Sequence, residues 1–581
     1  MEVDCLLEVL NYLRNEYSTL YSCSLVNKLW CHQTVPILWY KPFNDEMTEK
    51  KSLTIIRTCL SCLEGDEIQE LFNQENIRLS FYDLKRKPLF DYPKYLRNFH
   101  VYNFRLAFKL WFSDNLPEIN NDLLKFEILY QRLINLIFKR TKGFKILSIQ
   151  PDNYYNNWLN YSSLIQNEIS IKYLQKFYFK YEVKQGADLF VKELSELFNL
   201  LIRYVNNLRH LNVSINFGNK LRYSSQVAIL LSQLIESQKN LEILEINDFW
   251  DPRKFSPIFD AIKSQKNSLK YLRLEGLKNF EPLLNILIYC NNLEILNLKS
   301  FAQMEENINI KSINNIINLS ELNIKHLYSW DIPSFLDADD MGLLLKLINH
   351  SLNTLAIDRV IDNNLLEIIK DYCPNIQNLS LGMFNASFPD ILPSLLNNLS
   401  LNHLYLDIFG YNFSDVLIEL TNSIPSSVNS LYLNFTLFPH QLDYFLNEMK
   451  SKPKILGIID KNMIKNDHLE VIIKYAKNHD NLKELHWFGN LDDEIIKVNM
   501  NEARSIIPLI CFPSYNFLDM NKRWCSQTID ILRSQPFRLL YSCVPIYSCG
   551  NRRQASELIN VYILHISLEN EQNLINNNII R

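Results

Sequence analysis

The sequence predicts an α/β solenoid, with a parallel sheet inside and helices outside, preceded by a compact unit of three helices. Three observations carry this. A Leu-x-x-Leu-x-Leu pattern recurs from about residue 140 onward, the stretches between its copies have helical apolar spacing, and the first 45 residues read as a block of their own.

In residues 1–45, Asp4 is placed to cap a first helix carrying Leu6, Val9, Leu10 and Leu13 on one face. Ser18 is placed to cap a second, with Leu20, Cys23 and Val26. After Asn27 a third runs through Trp30, Thr34 and Leu38, contains Pro36 and ends at Trp39-Tyr40. So short a unit buries little surface, and below about 40 residues a domain usually needs outside support. Leu7, Leu25, Leu29 and Trp39 cannot all fit inside it, so it is expected to offer apolar surface to a partner. Residues 46–135 read as a helical connector, interrupted by the polar stretch Lys85-Arg86-Lys87-Pro88.

Residues 136–495 read as the repeat array. Its copies are Phe144-Leu147-Ile149, Leu174-Phe177-Phe179, Leu208-Leu211-Val213, Leu241-Leu244-Ile246, Leu269-Leu272-Leu274 and Leu293-Leu296-Leu298. They continue as Leu319-Leu322-Ile324, Leu352-Leu355-Ile357, Ile376-Leu379-Leu381, Leu401-Leu404-Leu406, Val428-Leu431-Leu433 and Leu482-Leu485-Trp487, with a weak copy at Leu456-Gly457-Ile458. The spacing averages about 28 residues, the period of long leucine-rich repeats. One strand and one helix cannot hide their own leucines, whereas stacked neighbours can, at roughly 1.5–3 kcal/mol for each buried side chain. An Asn three residues beyond the last motif leucine, common in such repeats, is present only as Asn216 and Asn490. Phe249, Leu277, Phe301, Leu327, Val360, Phe384 and Phe409 stand there instead, so aromatic packing is expected in its place. Residues 496–581 break the pattern and remain unassigned.

Composition excludes several function classes. The 581 residues carry 60 basic and 64 acidic side chains, a formal net charge of −4, which argues against a nucleic-acid groove or an anionic membrane as main partner. Eleven glycines, none within 20 residues of the next, exclude phosphate loops, dinucleotide turns and nucleophile elbows. Eleven cysteines without a framework point to a reduced intracellular compartment, cytoplasmic or nuclear, and the acidic N-terminus does not read as a secretory signal. There is no apolar run of 18 residues. Cys59-x-x-Cys62 lacks the second ligand pair of a zinc site and reads as a helix face. His479 and His486 read as surface or strand residues, Lys85-Arg86-Lys87 as a loop, and Asp337, Asp339 and Asp340 as a helix start. No metal or cofactor is expected, and no catalytic cluster stands out.

The first 45 residues resemble an F-box. The carrying residues are Asp4 through Leu13, then Cys23-Ser24-Leu25-Val26-Asn27-Lys28-Leu29-Trp30, then Ile37-Leu38-Trp39. Met1-Glu2 stands where the family has Leu-Pro. With the repeats, the arrangement resembles F-box/leucine-rich-repeat proteins. The resemblance implies a non-catalytic subunit of an SCF ubiquitin ligase, docked on the Skp adaptor and through it on cullin, with a protein substrate held by the repeats. The adaptor contacts it implies are drawn from Leu6, Leu7, Leu10, Leu13, Val26, Trp30, Leu38 and Trp39, part of this set forming the unit's own core. The alternative is a leucine-rich-repeat scaffold without a ubiquitin role.

Strand side chains alternate, so the positions between motif leucines should line the face away from the helices. They are Asn212, Glu245, Arg273, Asn297, Asn323, Ser380, Tyr405, Tyr432 and His486. Arg273, Tyr405, Tyr432 and His486 are the substrate-binding candidates, because tyrosine and arginine are enriched at binding hot spots. The other reading of this row is plain solvated surface.

Overall fold

A computed structural model describes residues 3–43, 48–72, 88–117, 122–150, 164, 167–182, 187–216, 224–247, 256–276, 281–299, 322–330, 338–360, 363–383, 390–408, 416–434, 437–458, 465–487 and 494–511. These fall in one unit, Met1–Phe512, and the second unit, Pro513–Arg581, lies outside the described residues.

Helices α1 (Val3–Tyr12), α2 (Tyr17–Ser24) and α3 (Lys28–Leu38) open the chain. Leu6, Leu10, Leu20 and Cys23 form their small core, with Leu13, Trp30, Ile37 and Leu38 packed against it. Asp4 lies inside the first turn of α1 and not ahead of it, where its charge still favours the positive end of the helix. Ser18 likewise falls inside α2, which Glu16 precedes. Asn27 caps α3, its side chain accepting the Trp30 N–H at 3.0 Å.

The connector holds α4 (Glu49–Ser61), α5 (Gly65–Phe72), α6 (Val101–Asn115) and α7 (Leu123–Arg140), and it also holds a strand, β1 (Asn98–His100). Phe99 stands opposite Leu147 of β2 (Ile146–Ile149), so Leu96-Phe99-Val101 is a repeat copy with an aromatic at its centre. Strands and helices then alternate. They run β3 (Lys176–Glu182), α8 (Ala187–Tyr204), β4 (His210–Asn216), α9 (Ser224–Glu236), β5 (Ile243–Asn247), α10 (Ser256–Ser264), β6 (Tyr271–Glu275), α11 (Glu281–Leu287), β7 (Ile295–Lys299) and β8 (His326–Trp330). Next come α12 (Ala338–Ile348), β9 (Thr354–Val360), α13 (Asn363–Tyr372), β10 (Asn378–Met383), α14 (Ile391–Asn398), β11 (His403–Ile408), α15 (Leu417–Ser423) and β12 (Ser430–Asn434). The described chain closes with α16 (Pro439–Glu448), β13 (Ile455–Ile458), α17 (Asn466–Asn478), β14 (Glu484–Trp487), α18 (Glu494–Ile506) and β15 (Leu509–Cys511). Among the described residues, all fifteen strands form one sheet in chain order, each described pairing parallel. The array therefore extends beyond both expected ends, to residue 98 on one side and 511 on the other.

Register explains why. Leu147, Phe177, Leu211, Leu244, Leu272, Leu296, Leu355, Leu379, Leu404, Leu431, Leu456 and Leu485 are opposite one another from strand to strand and fully buried. The expected copy at Leu319-Leu322-Ile324, whose first residue lies outside the described residues, is centred five residues too early. The residue between Leu296 and Leu355 is Leu327, and the copy reads Ile324-Leu327-Ser329. A serine at the last leucine position hides this copy from a search for leucines. Asn323 consequently lies outside any strand and is exposed.

A backbone ladder fixes the register. In each repeat, the carbonyl two residues ahead of the central apolar residue accepts two N–H groups from the next repeat. Arg97 accepts from Lys145 and Ile146 at 2.7 and 2.9 Å, and the pattern continues without a break to Lys454, which accepts from Lys483 and Glu484 at 2.8 and 3.0 Å. Side chains add stitches on the helix-to-strand side. Gln238 accepts the Leu208 N–H at 3.0 Å and donates to the Val205 carbonyl at 2.9 Å, and Gln265 donates to the Ile235 and Gln238 carbonyls at 2.9 and 2.8 Å. Ser351 donates to the Leu322 and Ile324 carbonyls. Buried Gln238 and Gln265 and half-buried Ser351 thus satisfy backbone groups between repeats. They lie ahead of the strands, not at the position beyond them where aromatics are expected to stand in for an Asn ladder. Of the aromatics expected in that role, Phe249, Phe301, Phe384 and Phe409 lie outside the described residues.

Among the described residues, aromatic packing is dense at the start of the array. Phe43, Phe99, Phe104, Phe138 and Phe144 interlock with centroids 5.1–5.9 Å apart. The Arg105 guanidinium lies over Phe126 and Tyr130 at 5.1 and 5.0 Å and pairs with Glu127 in a nearly dry setting. Cys59 and Cys62 are buried free thiols at the end of α4.

Candidate functional site

Two surfaces deserve a functional reading: the outside of the three-helix unit and the sheet face turned away from the helices.

The three-helix unit is too small to enclose its own side chains. Val3, Val9, Tyr12, Tyr21, Leu25, Val26 and Leu29 are all exposed, Tyr12 at 72% and Val26 at 59%. Leu25, Val26 and Leu29 flank the Asn27 cap, so they project from the corner between α2 and α3. Of the adaptor-contact candidates, Val26 is in the open. Leu6 and Leu10 are fully enclosed in the unit's core, and Leu13, Trp30 and Leu38 are half-buried against it. Leu7 is half-buried. Trp39 does something else: it packs on the array's core, its ring 4.5 Å from Tyr92. Val9, placed by spacing on the inner face of α1, lies outside it. The signal for the open corner was the pair of leucines on either side of a helix cap.

On the sheet, β3 to β7 carry a continuous polar chain. Tyr178 Oη and His210 Nδ1 are 3.2 Å apart, and His210 Nε2 meets Glu245 Oε1 at 2.7 Å. Arg273 lies 3.9 Å from Glu245 and 3.4 Å from Glu275, which also pairs with Lys299. Burial by itself raises the Glu245 carboxyl, but the hydrogen bond and charge of His210, with the Arg273 guanidinium, outweigh it and hold the group below the usual carboxylate range. Arg273 is thus on the expected face, with carboxylates on either side.

The C-terminal candidates meet as one aromatic row. Tyr405 and Tyr432 are directly opposite on β11 and β12, with centroids 6.4 Å apart. Tyr432 reaches across Gly457 of β13 to His486 of β14, edge to face at 5.4 Å. A Cβ on Gly457 would fall 2.1 Å from Tyr432 Cδ1, so the ring occupies the space a side chain would need. His486 Nε2 lies 2.6 Å from Glu484 Oε1. Tyr405 and Tyr432 are 2% and 4% exposed. The expectation of open contact residues is not met at these two positions, because rings set on strands less than 5 Å apart pack into one another. His486 and Arg273 keep partial exposure. Sequence reasoning missed Tyr328, His210 and Glu275, which share this face; Tyr328 was hidden by the register shift at β8.

Among the described residues, no three His, Cys, Asp or Glu side chains gather as metal ligands would, and no helix is long and apolar enough to cross a membrane. The strand–helix periodicity, single parallel sheet and buried leucine ladder define a leucine-rich-repeat solenoid fronted by a small helical unit. No family model and no curated protein matches the chain. Among solved structures it is similar to a chain in the crystal structure of the Rad7–Elc1 complex of yeast, at 14% identity and a TM-score of 0.33, covering 65% of this chain and 94% of that one.

Proposed function

We propose that this chain is a non-catalytic substrate-recognition subunit that docks through its three-helix unit on the Skp adaptor of an SCF-type ubiquitin ligase, and through it on cullin, while the repeats hold a protein substrate. The observation that supports this best is the apolar corner of Leu25, Val26 and Leu29, exposed on the segment that resembles an F-box. Exposed apolar side chains grouped on so small a unit fit a partner that covers them. The chain's part is tethering, which raises the effective concentration of a substrate lysine without a chemical step and can increase effective affinity about 10²–10⁴-fold.

The test is capture of purified Skp adaptor by the full chain. Micromolar or tighter binding is expected, lost in Val26→Asp and Leu29→Asp, which leave thermal melting within about 0.5 kcal/mol of the parent because both sites are exposed. Failure of the unsubstituted chain to bind the adaptor would refute the reading and favour a scaffold without a ubiquitin role.

A further inference from the structure

The backbone ladder does not begin at Arg97. The Tyr40 carbonyl accepts the Arg97 N–H at 3.1 Å and the Asn98 N–H at 2.9 Å. This is the pairing that Arg97 itself makes with Lys145 and Ile146, and that each later repeat makes with the next. Tyr40 therefore stands where the repeat before β1 would place its ladder residue. Trp39, the residue before it, takes the place held in later repeats by Leu96, Phe144 and Leu174, and packs against the same core. Phe43, three residues on, is fully buried against Phe99 and Phe104. Helix α4 then packs beside α6, so a helix follows this rung as helices follow the others.

We infer that the three-helix unit is joined to the array without a hinge: its last residues, Trp39 and Tyr40, are the zeroth rung of the solenoid, so the apolar corner and the sheet keep one orientation and open as one cooperative unit. The physical reason lies in the hydrogen bonds. A linker would leave the Arg97 and Asn98 N–H groups to water, whereas here both bond to the carbonyl that ends the helical unit, beside the Trp39 and Tyr92 rings, which meet at 35°. An end repeat needs a cap, because its core face is otherwise bare. The helical unit supplies that cap and does not hang from it. The inference is independent of what the apolar corner binds.

Native-state hydrogen exchange on the full chain tests it. The Arg97 and Asn98 amides are expected to be protected within about tenfold of Lys145 and Ile146, and to lose protection together in rising denaturant. Trp39→Ala should speed exchange at all four amides, while Val26→Ser, on the exposed corner, changes none of them. Loss of the whole array's structure in Trp39→Ala would support the coupling as well. Exchange at Arg97 and Asn98 more than about tenfold faster than at Lys145 and Ile146, or a Trp39→Ala effect confined to α1–α3, would overturn it.

Discussion

Gly457→Ala puts opposing effects in competition at one residue of the aromatic row. In a strand, alanine in place of glycine normally gains about 0.5–1 kcal/mol, because glycine loses more backbone freedom on folding. Here the new Cβ would stand 2.1 Å from Tyr432 Cδ1 and 2.6 Å from Cε1. Carbon atoms prefer about 3.5–4.0 Å, so the ring must retreat by more than about 1 Å. It has little room, wedged between Tyr405 and His486 and 4% exposed. Overpacking of this kind costs about 1–3 kcal/mol, which after the backbone gain leaves a net loss of up to about 2.5 kcal/mol. The assay is a double-mutant cycle on urea midpoints. Gly457→Ala should lower the midpoint in the parent chain and raise it slightly in a Tyr432→Leu background, where the obstructing ring is gone. Equal effects in both backgrounds would show that the ring does not fill that space, and the packing argument for the row would fail.

Three further outcomes are expected. His326 is pushed down to about 4 by burial, against an ordinary value of 6.5. The unfolded chain therefore binds the extra proton first, and stability should fall as pH drops from about 6.5 toward 4, by on the order of 3 kcal/mol. His326→Gln should flatten that window in denaturation series at pH 7 and 4.5, and an unchanged slope would exclude His326 as its source. The Ser329 hydroxyl is buried without a hydrogen-bond partner, in line with Leu298 and Ile357. Ser329→Ala should therefore raise stability by about 1 kcal/mol in thermal melts, and a loss would point to a bond the geometry does not contain. Leu272→Asp would place an unpaired charge at a fully buried centre of β6, and a melting curve like the parent's would refute the repeat register.

By itself the sequence determined the periodic part of this protein. Leucines about 28 residues apart, with helical spacing between them, leave few ways to bury apolar surface other than stacking. The α/β class, the parallel order and most strand centres follow from that burial rule alone. Where a copy stands apart from the run of clear repeats, or carries a polar residue, the rule loses its grip. Leu96-Phe99-Val101 lies within a stretch that reads as a helical connector, Ser329 shifted the reading of β8, and Ile510 lies beyond an apparent break in pattern. Those places were settled by backbone hydrogen bonds, which carry no side-chain signature. The candidate sites divide in the same way. Alternation along strands was enough to put Arg273, Tyr405, Tyr432 and His486 on one face. Whether a side chain there stays open depends on its neighbours across strands, such as a glycine that lets Tyr432 lie flat. In the helical unit, spacing marked an apolar stripe but not its direction. Only packing turned Leu6 and Leu10 inward, left Leu25, Val26 and Leu29 outside, and gave Trp39 to the array, because burial is decided by which surfaces meet in three dimensions.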